Sequence, residues 1–161
     1  MLEARILLIQ RSGPTHSVVT APTGRPLGFA RWRPQAGGVW RHWFSRRLLE
    51  VHEADDEPLV FTVRQHWFLR SKWDVFDADG NQVGSIHGRL LGGRFGQVLA
   101  LCEIASDGAT VVFRTYQRRD LATLVQAGAD RRLTFAEEVQ DDPFAKMVLL
   151  AATLLVVSRL R

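Results

Sequence analysis

Asp142-Pro143-Phe144-Ala145-Lys146-Met147-Val148-Leu149-Leu150-Ala151-Ala152-Thr153-Leu154-Leu155-Val156-Val157 is an apolar stretch with almost no polar side, and everything before it reads as strands. Both of its ends carry helix signals. Asp142 can accept from the free amides of a first turn, Pro143 suits the first helical position, and Ser158-Arg159-Leu160-Arg161 sets cations at the negative end of the dipole. The pattern predicts a helix over about 142–159. A helix that is apolar all round needs apolar surroundings, either a protein core or a bilayer. Met147 to Val157 covers only about 16 Å at ~1.5 Å per residue, against ~30 Å of hydrocarbon. Extending the span to Phe144 and Leu160 draws in Lys146 and Arg159, which would have to snorkel. The preferred reading is a helix buried in the protein's own core; a C-terminal membrane anchor and a partner-binding helix are the rivals.

With 161 residues, 46% of them hydrophobic, the chain has apolar mass for one core, so a single domain over 1–161 is expected. Met1 to Gln10 has too short an apolar run and too early an acid for a secretory signal, which points to a cytoplasmic protein. Cys102 is the single cysteine, so no internal disulfide and no thiolate metal cluster can form, and it reads as a small apolar filler. The formal net charge is +4, and only Lys72 and Lys146 are lysines. An arginine-rich, mildly basic surface suits anionic partners, although a charge of this size also fits an ordinary solvated surface.

Short runs rich in Val, Ile, Leu, Phe and Trp, separated by Gly, Asp, Asn or Pro, recur from Arg5 to about Gln117. Strands are expected near Arg5–Gln10, Leu27–Arg33, Arg47–Glu53, Leu59–Gln65, Trp73–Asp77, Gln82–Arg89, Gln97–Ala105, Thr110–Gln117 and Leu133–Val139. Asp120 to Gly128 has a cap, an i, i+3, i+4 apolar set and a final Gly, which predicts a short helix. Two internal likenesses suggest a pair of similar halves. Thr23-Gly24-Arg25-Pro26-Leu27-Gly28 aligns with Asp79-Gly80-Asn81-Gln82-Val83-Gly84, and Leu49 to Gln65 aligns with Cys102 to Gln117 across a one-residue gap. Each half would supply one curved sheet, the two closing around something apolar.

Trp73-Asp74-Val75-Phe76-Asp77-Ala78-Asp79-Gly80-Asn81-Gln82-Val83-Gly84-Ser85-Ile86 is similar to the strand, Asp-x-x-Gly turn and return strand of the tubby-like family, which includes the phospholipid scramblases and the LURP-one-related proteins. Phe144-Ala145-Lys146-Met147, opening the final helix, adds to the likeness, which runs from Leu27 to the end. The resemblance implies a mainly β fold: a closed antiparallel barrel of about twelve strands around a central C-terminal helix. It also implies a lipid-related or membrane-surface role. The chain departs from the scramblase pattern in lacking a Pro-rich leader and a cysteine cluster for acylation. The acidic stretch before the helix is present only loosely, as Glu137, Glu138, Asp141 and Asp142, so calcium binding does not carry over.

Arg31-Trp32-Arg33, Trp40 to Arg47 and His66 to Trp73 interleave cations with large aromatics. Arginine forks grip phosphate and tryptophan favours the membrane interface, so Arg31, Arg33, Arg41, Arg46, Arg47, Arg70 and Lys72 are the candidate residues for an anionic phospholipid headgroup. The plain alternative sends the aromatics to the core and the cations to water. Stacking of single-stranded bases is a third use, ranked lower. Asp77-Ala78-Asp79-Gly80-Asn81 starts like a calcium loop, but Gln82 and Gly88 stand where that loop needs Gly and Glu, so a hairpin turn is expected. His16, His42, His52, His66 and His87 show no metal-ligand spacing, and no serine elbow or phosphate loop is present. Glu50 and Glu103 occupy matching positions and read as structural groups at strand exits. The expectation is a non-enzymatic binding or scaffold module without metal or cofactor, with two rivals: a membrane-anchored scramblase-like protein and a nucleic-acid binder. The oligomeric state is not legible in the sequence.

Overall fold

The computed structural model describes residues 1–34, 47–53, 58–66, 69 and 71–159. Twelve strands come first: β1 Ile6–Arg11, β2 His16–Thr20, β3 Pro26–Pro34, β4 Arg47–Glu53, β5 Leu59–Gln65, β6 Lys72–Asp77, β7 Gln82–His87, β8 Leu90–Gly92, β9 Val98–Ile104, β10 Thr110–Arg114, β11 Asp120–Ala127 and β12 Asp130–Phe135. A 3-10 turn, Glu137–Val139, leads into the helix α1, Pro143–Arg159. Each strand is antiparallel to the next in sequence, and β12 returns to pair with β1, with Leu7 opposite Leu133. The closed ladder leaves no strand edge to template pairing with other chains.

Period-two alternation builds the inner wall. Leu7 and Ile9, Leu49 and Val51, Phe61 and Val63, Trp73 and Val75, Val111 and Phe113, and Leu133 and Phe135 are all buried. The wall closes on α1, where Val148, Leu149, Leu150 and Ala151 are each 0% exposed. Four successive residues exceed one turn of about 3.6, so the helix is covered on every side and fills the barrel. Its cap and its hydroxyls are satisfied locally. Asp142 Oδ1 accepts from Ala145 N at 2.9 Å as the cap, and Thr153 Oγ1 donates to Leu149 O at 2.8 Å.

Lys146 does not snorkel. Its side chain is wholly buried, and Nζ donates to the Leu2 carbonyl at 2.6 Å and lies 5.6 Å from the centre of the Phe135 ring. Burial holds its pKa below the ordinary lysine value, with Asp141 and Glu3 acting against the shift. Met1, Leu2 and Ala4 pack on the core, and Gln140 Nε2 donates to Glu3 O at 2.9 Å, so residues 1–4 cover the end of the barrel where α1 begins. This is called the head end below, and the end where α1 finishes is the tail end.

The matched glycines have matching jobs. Gly24 and Gly80 both turn a hairpin with φ of 83°. Gly28 and Gly84 sit in walls too tight for a methyl: a Cβ would come within 2.4 Å of His52 O in one case and of Val148 Cγ2 in the other. The larger repeat does not hold. Its first likeness pairs β3 with β7 and its second pairs β4 with β9, a shift of four strands and then of five, within one continuous sheet.

The expected helix over Asp120–Gly128 is instead strand β11, paired to β10 and β12 on both sides. Leu121, Ala122 and Leu124 are buried, and Gly128, with φ of 66°, makes the hairpin turn to β12 in place of a helix stop. The same left-handed glycine serves either end, which is why the signal misled. Strands β2 and β8 went unread, and the strand expected over Leu133–Val139 stops at Phe135 and passes into the 3-10 turn.

Candidate anionic-ligand surface

Alternation on β3 turns Trp32 inward, where it meets Trp73 edge-on with ring centres 5.7 Å apart, and leaves Arg31 and Arg33 outside. Register extends that outer face across four strands. Arg33 lies opposite Leu48 on β4, Leu48 opposite Arg64 on β5, and Arg64 opposite Asp74 on β6. At about 4.8 Å per strand this row is about 14 Å wide. Arg47 stands exposed at the start of β4, and Lys72, at the start of β6, lies one alternation from Asp74. Three of the seven expected residues, Arg31, Arg33 and Lys72, thus share the tail half of one outer face, whereas Arg47 has the inward alternation of Leu49 and Val51 and stands at the tail rim of the barrel. Arg41, Arg46 and Arg70 lie outside the described residues.

The face is partly self-compensated. Arg33 Nε meets Glu50 Oε2 at 2.7 Å, Lys72 Nζ stands 3.7 Å from Asp74 Oδ1, and Arg31 Nε donates to His16 Nε2 at 3.1 Å. His52 Nε2 lies 3.4 Å from the same Glu50 oxygen, and its ring stacks on Phe29 at 5.1 Å. The guanidinium carbon of Arg64 lies 4.6 Å from the centre of the Phe76 ring, and among the described residues Arg64 forms no ion pair. Arg64 and the partners His16 and Glu50 were missed as site residues. Arg64 was legible, since it alternates with the core residue Val63; His16 lies on a strand too polar to be recognised.

Charge is divided between the two ends. Among the described side chains, the tail half carries Arg11, Arg31, Arg33, Arg47, Arg64, Lys72, Arg89, Arg131 and Arg132 against Glu50, Asp74, Glu103, Asp107 and Asp130. The head half carries Arg5, Arg25, Arg94, Arg114, Arg118, Arg119 and Lys146 against Glu3, Glu53, Asp77, Asp79, Asp120, Glu137, Glu138, Asp141 and Asp142. The tail end is therefore net basic and the head end net acidic.

Glu103 mirrors Glu50: it accepts from Arg114 Nη1 at 2.8 Å, while Asp120 takes Arg114 Nε at 2.5 Å. Cys102 is buried, and burial pushes its thiol pKa up, against the pull of Arg89. Asp77 accepts from the backbone and side-chain amides of Asn81, at 2.8 and 3.2 Å, as a hairpin turn requires. Among the described residues no three His, Cys, Asp or Glu side chains are grouped to hold a metal ion, and no helix is long and apolar enough to cross a membrane.

No family model and no curated protein matches the chain. Among solved structures it is similar to a protein from Arabidopsis thaliana known by its X-ray structure, with a TM-score of 0.63 over 95% of this chain and 88% of the plant protein. Identity is 12%, so the likeness is one of fold.

Proposed function

We propose that this chain is a non-enzymatic binding module of the tubby-like kind that engages anionic phospholipid headgroups at a membrane surface through its tail-end outer face. One observation carries the reading: cations from three neighbouring strands, Arg31 and Arg33 on β3, Arg64 on β5 and Lys72 on β6, stand on one face, with Glu50 and Asp74 as the acids there among the described residues. Arg64, held 4.6 Å from the centre of the Phe76 ring, has no carboxylate partner to give up among the described residues. Arg33 and Lys72 would exchange a carboxylate for a phosphate. Support for the tubby-like kind comes from the barrel wrapped on a terminal helix, and from the Gly80 turn and Gly84 wall position that the sequence likeness singled out.

A basic side chain beside an anionic leaflet contributes about 1 kcal/mol, so removing three lowers affinity by up to about two orders of magnitude. The test is co-sedimentation with vesicles of phosphatidylcholine alone and with added phosphatidylserine or phosphoinositide, across a salt series. Binding is expected only to the anionic vesicles, weakening as salt shortens the Debye length and falling sharply for the triple variant Arg33→Gln, Arg64→Gln, Lys72→Gln. Absence of sedimentation at low salt, or a triple variant that binds as well as the parent, would overturn the reading. A salt-dependent gel shift with single-stranded nucleic acid and no vesicle binding would replace it with the nucleic-acid alternative.

A further inference from the structure

On the outer face one contact of the arginine row fixes a protonation state. Arg31 Nε donates to His16 Nε2 at 3.1 Å, and a guanidinium N–H is always a donor, so that ring nitrogen must present a lone pair. His16 is therefore neutral in this contact. Its proton sits on Nδ1, where Thr15 Oγ1 lies 3.4 Å away to accept it. The two residues are half-buried and directly opposite one another in the β2–β3 register, which holds them together. A proton arriving on Nε2 would remove the acceptor and set a second positive charge beside the first. Protonation of His16 and tethering of Arg31 exclude each other.

The charged groups around this pair decide what a released Arg31 can do. From β1 comes Arg11, whose Nε donates to Gly13 O at 3.2 Å, and from β3 itself comes Arg33. From β4 comes Glu50, directly opposite Arg31, with its Oε2 already shared by Arg33 Nε at 2.7 Å and His52 Nε2 at 3.4 Å. A released Arg31 thus faces a carboxylate that is already taken, and a protonated His52 would hold that carboxylate more tightly. Acid therefore leaves the face with a surplus of cations. Histidine is the side chain whose charge ordinarily changes between about pH 5 and 8.

We propose that His16 is a proton switch on the headgroup surface: neutral, it ties Arg31 down; protonated, it releases Arg31 and adds a cation, so affinity for an anionic leaflet rises as pH falls. The switch rests on the headgroup reading of this same face. By reciprocity, binding to the leaflet draws a proton onto His16.

Two measurements test it. The first uses no membrane: the Arg31 side-chain Nε–H resonance of the intact, isotope-labelled chain is followed from about pH 7.5 to about pH 5.5, the range of histidine titration. It should move together with the His16 ring resonances, and it should cease to follow pH in His16→Gln, whose amide oxygen accepts from Arg31 throughout. The second is co-sedimentation at both pH values with vesicles of phosphatidylcholine and phosphatidylglycerol, whose phosphodiester keeps its charge over this range. One cation beside such a leaflet is worth about fivefold in affinity, so the two gained at His16 and Arg31 should raise binding by more than about tenfold. His16→Gln should cut that rise by about tenfold or more. His87→Gln removes an exposed histidine of β7 that holds no arginine among the described residues, and should cut the rise by no more than about fivefold. An Arg31 resonance indifferent to His16 protonation, or a rise in His16→Gln as large as the parent's, would overturn the switch while leaving the headgroup reading in place. No vesicle binding by the parent at either pH would withdraw the headgroup reading, and the switch with it.

Discussion

The tightest point between wall and helix makes a sharp prediction. A methyl added at Gly84 would lie 2.4 Å from Val148 Cγ2 and 2.6 Å from Gly92 O, both well inside the roughly 3.5–4.0 Å of ordinary contact. Backbone strain plays no part, because Gly84 is not among the glycines with positive φ. Ordinary overpacking costs about 1–3 kcal/mol, and here one of the two clashes is with main chain, so Gly84→Ala should lose about 3 kcal/mol or more. Val148→Ala removes two methyl-sized groups at about 0.8 kcal/mol each and leaves a cavity, for a loss of about 2–3 kcal/mol. Simple addition gives roughly 5–6 kcal/mol for the double variant. Removing Cγ2, however, clears one of the two clashes, so the double variant should be at least about 1 kcal/mol more stable than the sum. Urea unfolding with unchanged slope measures each corner of the cycle. Gly13→Ala, with nothing within 4 Å of the new methyl, is the control and should change stability by less than about 0.5 kcal/mol. A double variant additive to within about 0.5 kcal/mol would refute direct packing of the helix against this wall.

Asp142→Ala should lower stability by about 0.5–2 kcal/mol through loss of the cap, and Asp142→Asn by less, as read from thermal or urea unfolding. Lys146 has its pKa lowered in the fold, so the unfolded chain binds more protons between that value and 10.5, and the parent should gain stability relative to Lys146→Met as pH rises through that window; a difference independent of pH would contradict the burial. Cys102 should react with an aromatic disulfide reagent only on unfolding, because its thiol is buried with a raised pKa. Asp107, whose pKa is lowered by hydrogen bonds from Thr110 and Ala109, should stabilise the fold above the unfolded carboxylate range and lose that effect as pH falls, so Asp107→Ala should flatten the acid limb of stability against pH.

What could be read from sequence followed from local chemistry. The run from Met147 to Val157 has no polar face and is short for a bilayer, so a place in the core was the preferred of the apolar settings the sequence allows, with a membrane anchor and a partner as rivals. The Gly24 and Gly80 turns were legible outright, because the backbone requirement is written in the residue itself. The strand at Asp120–Ala127 was not, because Leu121, Leu124 and Val125 fall at helical spacing while the strand's own alternation shows only in Ala122 and Leu124, and pairing with β10 and β12 decided for the strand. Strand β8 is three residues long and too short to show a period. In the candidate surface the arginines were visible, but the acids that pair with them were not. Register, which sequence spacing does not supply, sets Glu50 opposite Arg31 and within reach of Arg33, while Asp74 stands beside Lys72 on β6 itself.

Among the described residues α1 packs directly on the wall, and the gap between Trp73, Ile86, Leu91, Cys102, Ala152 and Leu155 holds only about 30 Å³. The division of charge between the ends has one explanation that involves no ligand: acids near the start of α1 and bases near its finish both complement the helix dipole. That explanation covers Glu137, Glu138, Asp141 and Asp142, which immediately precede the first turn. It does not reach Arg33, Arg64 or Lys72. The dipole acts within the last turn of a helix, and these side chains stand on the far side of the sheet, roughly 10 Å away through packed side chains. The pairs Arg33–Glu50 and Lys72–Asp74 join part-exposed cations to carboxylates only 16% exposed, and glutamine in place of either cation keeps a donor for its carboxylate. A row of cations that neither the helix nor the ladder requires is the feature of this barrel least explained by stability, and for that reason the triple substitution at Arg33, Arg64 and Lys72 should leave unfolding almost unchanged while removing vesicle binding. Substitution that instead unfolds the barrel would assign the row to the scaffold and withdraw it from function.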